Sequence, residues 1–258
     1  MQYETLKYSV RNHTAVIQFS RPDVMNALNT QMRAELLHAI KAGEKEARVI
    51  VMTGKGRAFC SGQDLGDRAT VASIDLERTL RDEYIPMLRA IYDCTIPVIS
   101  AVNGPAAGAG ANLALAADVV IATESAVFLQ AFTRIGLIPD AGGTYFLPRQ
   151  IGMAKAMGAA LFAEPVTAKQ ASDWGMIWEA VPDDQFEQVW KDRAAHLANG
   201  PTAAYARAKQ AIRKGYENGL EKQLLLEAKL QGELGKTHDF REGVLAFLDK
   251  RAAGFEGR

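Results

Sequence analysis

Residues 3–10 alternate polar and apolar side chains, and residues 14–20 do so again beyond Arg11-Asn12-His13. Period-two alternation on both sides of a short polar turn predicts a β-hairpin. Arg21-Pro22-Asp23 breaks the second strand, since proline has no amide to donate to a ladder. From Asn29 or Thr30 the period changes, and Met32, Leu36, Leu37 and Ile40 share one face of a predicted helix. Val49-Ile50-Val51-Met52-Thr53 is then almost continuously apolar up to Gly54, as expected of a strand covered on both sides.

The same grammar repeats. A helical stretch over 75–92 leads to the apolar run 97–102, and a short helix over 109–117 leads to Val119-Val120-Ile121-Ala122. Apolar strands alternating with helices predict an α/β fold with mainly parallel strands. Beyond residue 142 the pattern is mostly helical, with a strand expected near Met176-Ile177-Trp178 and helices over 183–198, 202–217, 220–234 and 239–250. The α/β part is expected to span 1–195 and a helical region 196–258, closing on the loosely ordered end Ala-Ala-Gly-Phe-Glu-Gly-Arg.

Composition narrows the function classes. Nearly half of the 258 residues are apolar and the formal charge is zero, so neither nucleic acid nor an anionic membrane is an expected partner. The N-terminus lacks the apolar core of a signal peptide, and no run approaches the length of a membrane span. Cys60 and Cys94 form no metal or redox motif, and His13, His38, His196 and His238 lie outside ligand spacing. The expectation is a cytoplasmic protein without a structural metal.

Three loops can carry chemistry. Arg57-Ala58-Phe59-Cys60-Ser61-Gly62-Gln63-Asp64-Leu65 follows the strand ending at Gly54. Its small residues let backbone amides approach a ligand, although a tight surface turn would read the same way. Asn103-Gly104-Pro105-Ala106-Ala107-Gly108-Ala109-Gly110-Ala111-Asn112 follows another buried strand and enters a helix, whose first amides suit a developing anion. One amide from each loop would make an oxyanion hole. A dinucleotide-binding reading of Gly108-x-Gly110 fails because position 113 is Leu. In Ile138-Pro139-Asp140-Ala141-Gly142-Gly143, a carboxylate stands among apolar neighbours. Facing a pocket, it would be a desolvated base; facing the next helix, an ordinary turn or cap.

Together these segments resemble the crotonase (enoyl-CoA hydratase/isomerase) family. The carriers are Arg21-Pro22-x-x-x-Asn26-Ala27-Leu28, Ala58-Phe59-Cys60-Ser61-Gly62-Gln63-Asp64-Leu65, Ala101-Val102-Asn103-Gly104 with its Gly/Ala run, and Ile138-Pro139-Asp140-Ala141-Gly142-Gly143. The resemblance implies a spiral of ββα units with a C-terminal helical trimerisation region, assembled as a homotrimer or a homohexamer built from two trimers. It implies an acyl-CoA thioester as substrate and no separate cofactor, coenzyme A being part of the substrate. The amides of Gln63 and Ala109 would form the oxyanion hole, with Gly110 as the neighbouring alternative. Backbone around Val24, Met25, Ala27, Ser61, Gln63, Asp64 and Leu65 would cradle coenzyme A, and Phe247 and Lys250 match positions that reach it, often from a neighbouring subunit.

The departures from the family pattern set the expected reaction. Its hydratases use two glutamates to place and activate water, and the matching positions here are Asn112 and Phe132. A carboxylate returns at Asp140, a pattern similar to the 1,2-epoxyphenylacetyl-CoA isomerase group of bacterial phenylacetate degradation. The expectation is an acyl-CoA isomerase acting on that epoxide or shifting 3-enoyl-CoA to 2-enoyl-CoA, with Asp140 as acid/base and Phe132 shaping an apolar pocket. Asn112 is expected either to bond near the thioester or to cap or pack in its helix. The alternatives are an enoyl-CoA hydratase, another crotonase reaction, or a non-catalytic acyl-CoA-binding subunit.

Overall fold

In the computed structural model, which describes residues 2–66 and 75–258, the N-terminal alternation folds as the hairpin β1 (Leu6–Arg11) and β2 (Thr14–Phe19). The register is antiparallel, from Leu6 opposite Phe19 to Arg11 opposite Thr14. Asn12 and His13 turn the chain with φ of 48° and 59°, the left-handed pair that fits the twist of a two-residue hairpin loop. Downstream lie β3 (Val49–Gly54), β4 (Val98–Val102), β5 (Ala106–Ala107), β6 (Val119–Thr123), β7 (Val127–Leu129), β8 (Val166–Thr167) and β9 (Glu179–Val181).

The main sheet has the order β1-β2-β3-β4-β6-β9, and every pairing after the hairpin is parallel. The central strands β3, β4 and β6 are buried along nearly their whole length because both faces are covered there, whereas the hairpin strands are buried only at alternate positions. Ile50 and Met52 of β3 pack with Met32, Leu36 and Ile40 of helix Thr30–Glu46 and with Met87 and Ile91. Val49 and Val51 point the other way, into a cluster with Ile99, Ile121, Phe186, Ala194 and Ala198. Helix Phe186–Ala198 thus belongs to the sheet's second layer, and the division expected near residue 195 falls within it.

Helix Thr30–Glu46 starts as its sequence requires: the Asn29 carboxamide accepts the Met32 amide at 2.9 Å, filling one orphan donor of the first turn. The stretch over residues 76–92 is helical but not uniform. Helix Leu76–Thr79 passes through a π-helical turn, Leu80–Tyr84, before helix Ile85–Tyr92.

The expected strand at Met176-Ile177-Trp178 begins later, at Glu179. The amides of Met176 and Ile177 are taken by the Ala171 carbonyl at 2.8 and 3.3 Å, so these residues close a turn and are buried without joining the ladder. A second, three-stranded sheet, β5-β7-β8, has no counterpart in the sequence reading. Its strands are two or three residues long, too short to show periodicity.

The C-terminal helices are Thr202–Gly215, Leu220–Leu234 and His238–Asp249. Lys209 and Arg213 tie the first to the sheet by gripping Asp118 at 2.6 and 2.7 Å. The final residues are held and not loose. The carboxylate of Asp239, 3 % exposed, accepts the amides of Glu256 and Gly257 at 2.7 and 2.8 Å, and Arg48 donates to the Phe255 carbonyl. Helix Gly143–Phe162 is interrupted at Gly152, where φ is 74°. Beyond that break Met153, Met157, Leu161 and Phe162 form an exposed apolar stripe. Among the described residues no helix is long and apolar enough to cross a membrane.

Candidate active site

The loops after β3 and β4 are laced together by polar side chains that strands alone cannot supply. Asn103 accepts the Gly54 amide at 2.8 Å and donates to the Gly56 carbonyl at 2.9 Å. Asn26, wholly buried, donates to the carbonyls of Lys55 and Ala58. Two parallel bridges complete the lacing, Cys60 with Ala106 and Leu28 with Gln63. Burial pushes the Cys60 thiol up to about 12, so it packs as a neutral group.

Two glycines make this approach possible. A Cβ on Gly110 would stand 2.3 Å from the Cys60 carbonyl oxygen, and one on Gly62, whose φ is 94°, would stand 2.8 Å from that of Ala107. Any side chain at either place would pry the loops apart.

The bridge geometry also decides where the Gln63 amide points. Gly62 accepts from Leu28 at 2.8 Å and Asp64 donates to Leu28 at 3.1 Å. In a parallel bridge the residue between these two turns its own N–H away from the partner. Ala109 opens helix Ala109–Leu115, where no preceding turn exists to accept its amide. Among the described residues neither amide has an acceptor, and both residues line one cavity of about 270 Å³.

Asp140 lines the same cavity. Its carboxylate does not cap the following helix, whose N-cap is Gly142. Among the described residues the buried Oδ1 has no hydrogen-bond partner. Burial pushes the carboxyl up to about 6, because an ionised oxygen there loses water and gains nothing in exchange. The turn that presents it is fixed by its carbonyl, which accepts the Gly143 amide at 2.8 Å and the Asn112 side chain at 2.8 Å. Ala141 holds a φ of 49° in that turn, a left-handed conformation costing roughly 1–2 kcal/mol for a residue with a Cβ.

Asn112 is completely buried and is not part of the cavity wall. Its Nδ2 holds the Asp140 carbonyl, and its Oδ1 accepts the Gln130 side chain at 2.8 Å. Of the two expectations for Asn112, the packed one describes its place: it orients Asp140 from behind. Phe132 does line the cavity, with Leu76, Leu80, Ile135 and Leu137 making most of the remaining wall apolar. Asp140 is the sole carboxylate among the described lining residues.

Ser61, Leu65 and Gln63 lie along the cavity rim. The segment expected to cradle coenzyme A sits beside them. The Ser61 amide bonds the Met25 carbonyl at 3.0 Å and its hydroxyl the Val24 carbonyl at 3.2 Å. Arg21 holds Asp64 at 2.8 Å, and Ala27 is buried while Val24 and Met25 are exposed. Phe247 and Lys250 are not brought to this cavity by the single chain. Phe247 is 83 % exposed over a separate apolar depression with Phe240, Val244 and Phe255, and Lys250 ends the last helix.

The sequence reading missed Tyr84, Leu76, Thr79 and Leu80, which close the cavity from residues 76–84. Only amphipathic helix was legible there, with no motif to mark a wall. Another cavity, of about 350 Å³, lies among Tyr92, Tyr145, Phe146 and Tyr205. Among the described residues its one lining carboxylate is Asp118, which is paired with Lys209 and Arg213.

Residues 9–258 match the sequence family described as enoyl-CoA hydratase/isomerase. A Rhodobacter capsulatus protein described as a probable enoyl-CoA hydratase is 62% identical over 258 residues, covering 100% of both chains. The 1,2-epoxyphenylacetyl-CoA isomerase of Escherichia coli is 44% identical over 254 residues, covering 96% of this chain and 97% of its own. Among solved structures, an enoyl-CoA hydratase from Bacillus anthracis superposes with a TM-score of 0.91 at 30% identity, covering 99% of this chain and 100% of the other.

Proposed function

The chain belongs to the enoyl-CoA hydratase/isomerase family and has its crotonase fold, and from that premise we propose that it is an acyl-CoA isomerase with Asp140 as its acid/base. The observation that carries this reading is the buried Oδ1 of Asp140, in a cavity shared with the amides of Gln63 and Ala109, all three without a hydrogen-bond partner among the described residues. A desolvated carboxylate is a stronger base than an exposed one, and two fixed amides stabilise the charge that its action creates.

On a 3-enoyl-CoA, Asp140 takes a proton from C2. The C2–H electron pair becomes the C1–C2 π bond of a dienolate, whose negative thioester oxygen lies against the two amides. The proton returns at C4, leaving the double bond between C2 and C3, so mass and charge balance with no added reactant. The ring epoxide of phenylacetyl-CoA is the second candidate substrate, supported by the 44% identity to the Escherichia coli isomerase. The same anchoring would hold that ester while Asp140 assists ring opening.

Hydration is the reading favoured by the 62% identity to the probable hydratase. Against it stands the chemistry of the wall. Asn112 is spent on Gln130 and Asp140, and Phe132 has no proton to exchange, which leaves Asp140 alone to handle water. Assembly into a homotrimer or paired trimers belongs to the same proposal. It would cover the Met153–Phe162 stripe and provide a neighbour for Phe247 and Lys250.

A mass- and NMR-resolved product assay of wild type and Asp140→Asn, with 3-enoyl-, 2-enoyl- and epoxyphenylacetyl-CoA, tests the reading. An Asp140-dependent rearrangement without mass change is the expected result. A gain of water restores hydration. Tight binding of every ester with no turnover identifies a binding subunit.

A further inference from the structure

The side chain of Gln63 is held more firmly than a loop residue at a cavity rim needs. Its Oε1 accepts the Tyr84 hydroxyl at 2.5 Å and Arg33 Nη1 at 2.9 Å, while its Nε2 reaches its neighbour's carbonyl, that of Asp64, at 3.3 Å. Arg33 is itself 3 % exposed. The same Nη1 donates to the Leu28 carbonyl at 2.6 Å, the oxygen that also receives Asp64 in the bridge orienting Gln63. Its other edge grips Glu83 at 2.6 Å and Thr30 at 3.1 Å, and its Cζ lies 4.9 Å from the Tyr84 ring centre.

Glu83 and Tyr84 both sit in the π-helical turn Leu80–Tyr84. A π turn carries one residue more than an α turn and changes helix phase by about 100°. Leu76 and Thr79 upstream of it and Leu80 at its start face the cavity, whereas downstream Met87 and Ile91 enter the core. Tyr84, at the junction, lines the cavity while its hydroxyl is committed to Gln63. Burial raises its pKa, with the nearby Arg33 charge opposing that rise, so the hydroxyl remains a donor.

We propose that Arg33 and Tyr84 are positioning residues that act through the Gln63 side chain, clamping the loop so that its backbone amide stays aimed at the thioester oxygen of an acyl-CoA. This rests on the isomerase reading above, and deepens it. A hydrogen bond to a developing oxyanion weakens steeply with misalignment. The backbone bridge to Leu28 sets the direction of the Gln63 amide, and the side-chain contacts of Arg33 and Tyr84 add a second hold on the same residue. Every substitution at position 63 except proline keeps the backbone N–H, so the clamp is separable from the group it aims.

The test is a double-mutant cycle on Tyr84→Phe and Gln63→Leu, read by deuterium exchange of the α-protons of octanoyl-CoA in D2O. Ester affinity, thermal midpoint and the infrared carbonyl stretch of bound 1-13C-octanoyl-CoA are followed alongside. Each single variant is expected to slow exchange about tenfold, leave affinity within about twofold, and move the carbonyl stretch back towards its frequency in water. The double variant is expected to be no slower than the worse single one. Wild-type exchange and carbonyl frequency in both single variants overturn the clamp. Multiplying defects overturn it too, since Tyr84 would then act on the ester directly. A wild type that exchanges no α-proton sinks the enolate reading and the clamp together, which separates that failure from the first two. The infrared shift covers a variant of reduced stability, because it is read on the folded, ester-bound fraction.

Discussion

Asn112 Nδ2 lies 2.8 Å from the carbonyl oxygen of Asp140. This joins a residue with no exposure to solvent to one whose carboxylate faces the cavity. The bond crosses from the helix that begins at the oxyanion loop to the turn that presents the base. It therefore fixes the proposed base relative to the amides of the proposed oxyanion hole. Gly143 leaves the room for it, since a Cβ there would fall 2.4 Å from that same nitrogen.

Replacing Asn112 by Ala should weaken both the fold and the chemistry. The buried Gln130 amide loses its acceptor and the Asp140 carbonyl one of its two donors, at about 1–3 kcal/mol for an unpaired buried polar group. The expected outcome is a lower urea midpoint together with a fall in kcat larger than the change in KM. An unchanged midpoint would show that the carboxamide holds nothing.

Activity should titrate with Asp140. The carboxyl is raised by burial to about 6, and the base form is the one that removes a proton. Initial isomerisation rates should therefore rise about tenfold per unit below pH 6 and level off above it. A plateau reaching down to pH 4.5 would assign the base elsewhere.

Stability should run in the opposite sense. A carboxyl raised from its unfolded value near ~4 to about 6 in the fold is more protonated folded than unfolded between those values. Its contribution to stability therefore falls as pH rises through that window. Asp140→Asn should be more stable than wild type at pH 8, by roughly 2–4 °C in Tm if the relief is about 1 kcal/mol. The advantage should shrink towards pH 4, and melting curves at the two pH values decide it.

Gly110→Ala should be among the most damaging single-methyl changes, because its Cβ would fall 2.3 Å from Cys60 O and 2.8 Å from Cys60 Sγ. A loss of more than about 3 kcal/mol, or failure to accumulate folded protein, is expected. Gly232→Ala is the control. Its Cβ meets nothing within 4 Å inside helix Leu220–Leu234, and a gain of up to about 1 kcal/mol is expected.

What was legible in the sequence follows the range of the forces involved. The hairpin, the buried strands and the long helices are written in periodicity, since burial of a face acts on every second or every third and fourth residue. The start of the helix at Thr30 is written in Asn29. The loops of the cavity were legible as clusters of small residues, and Asp140 as a carboxylate among apolar neighbours. Tyr84 and Arg33 were not, because their roles come from contacts 21 and 30 positions away at Gln63, through a π turn that leaves the helical pattern intact. The choice between Asn112 as a ligand-facing or a packed residue turned on its partners Gln130 and Asp140, 18 and 28 positions distant. The strand displaced from Met176 to Glu179 shows the converse limit: Met176 and Ile177 are buried without joining the ladder, and Trp178 is exposed, so an apolar run does not by itself mark a strand.

The stripe beyond Gly152 has a chemical consequence. Met153 and Met157 stand 66 % and 50 % exposed, whereas Met32, Met52 and Met87 are sealed in the core. Peroxide converts accessible thioethers to sulfoxides far faster than buried ones. Two neighbouring sulfur atoms thus gauge whatever lies over this helix: rapid oxidation in an isolated chain, and slow oxidation wherever another surface excludes the oxidant.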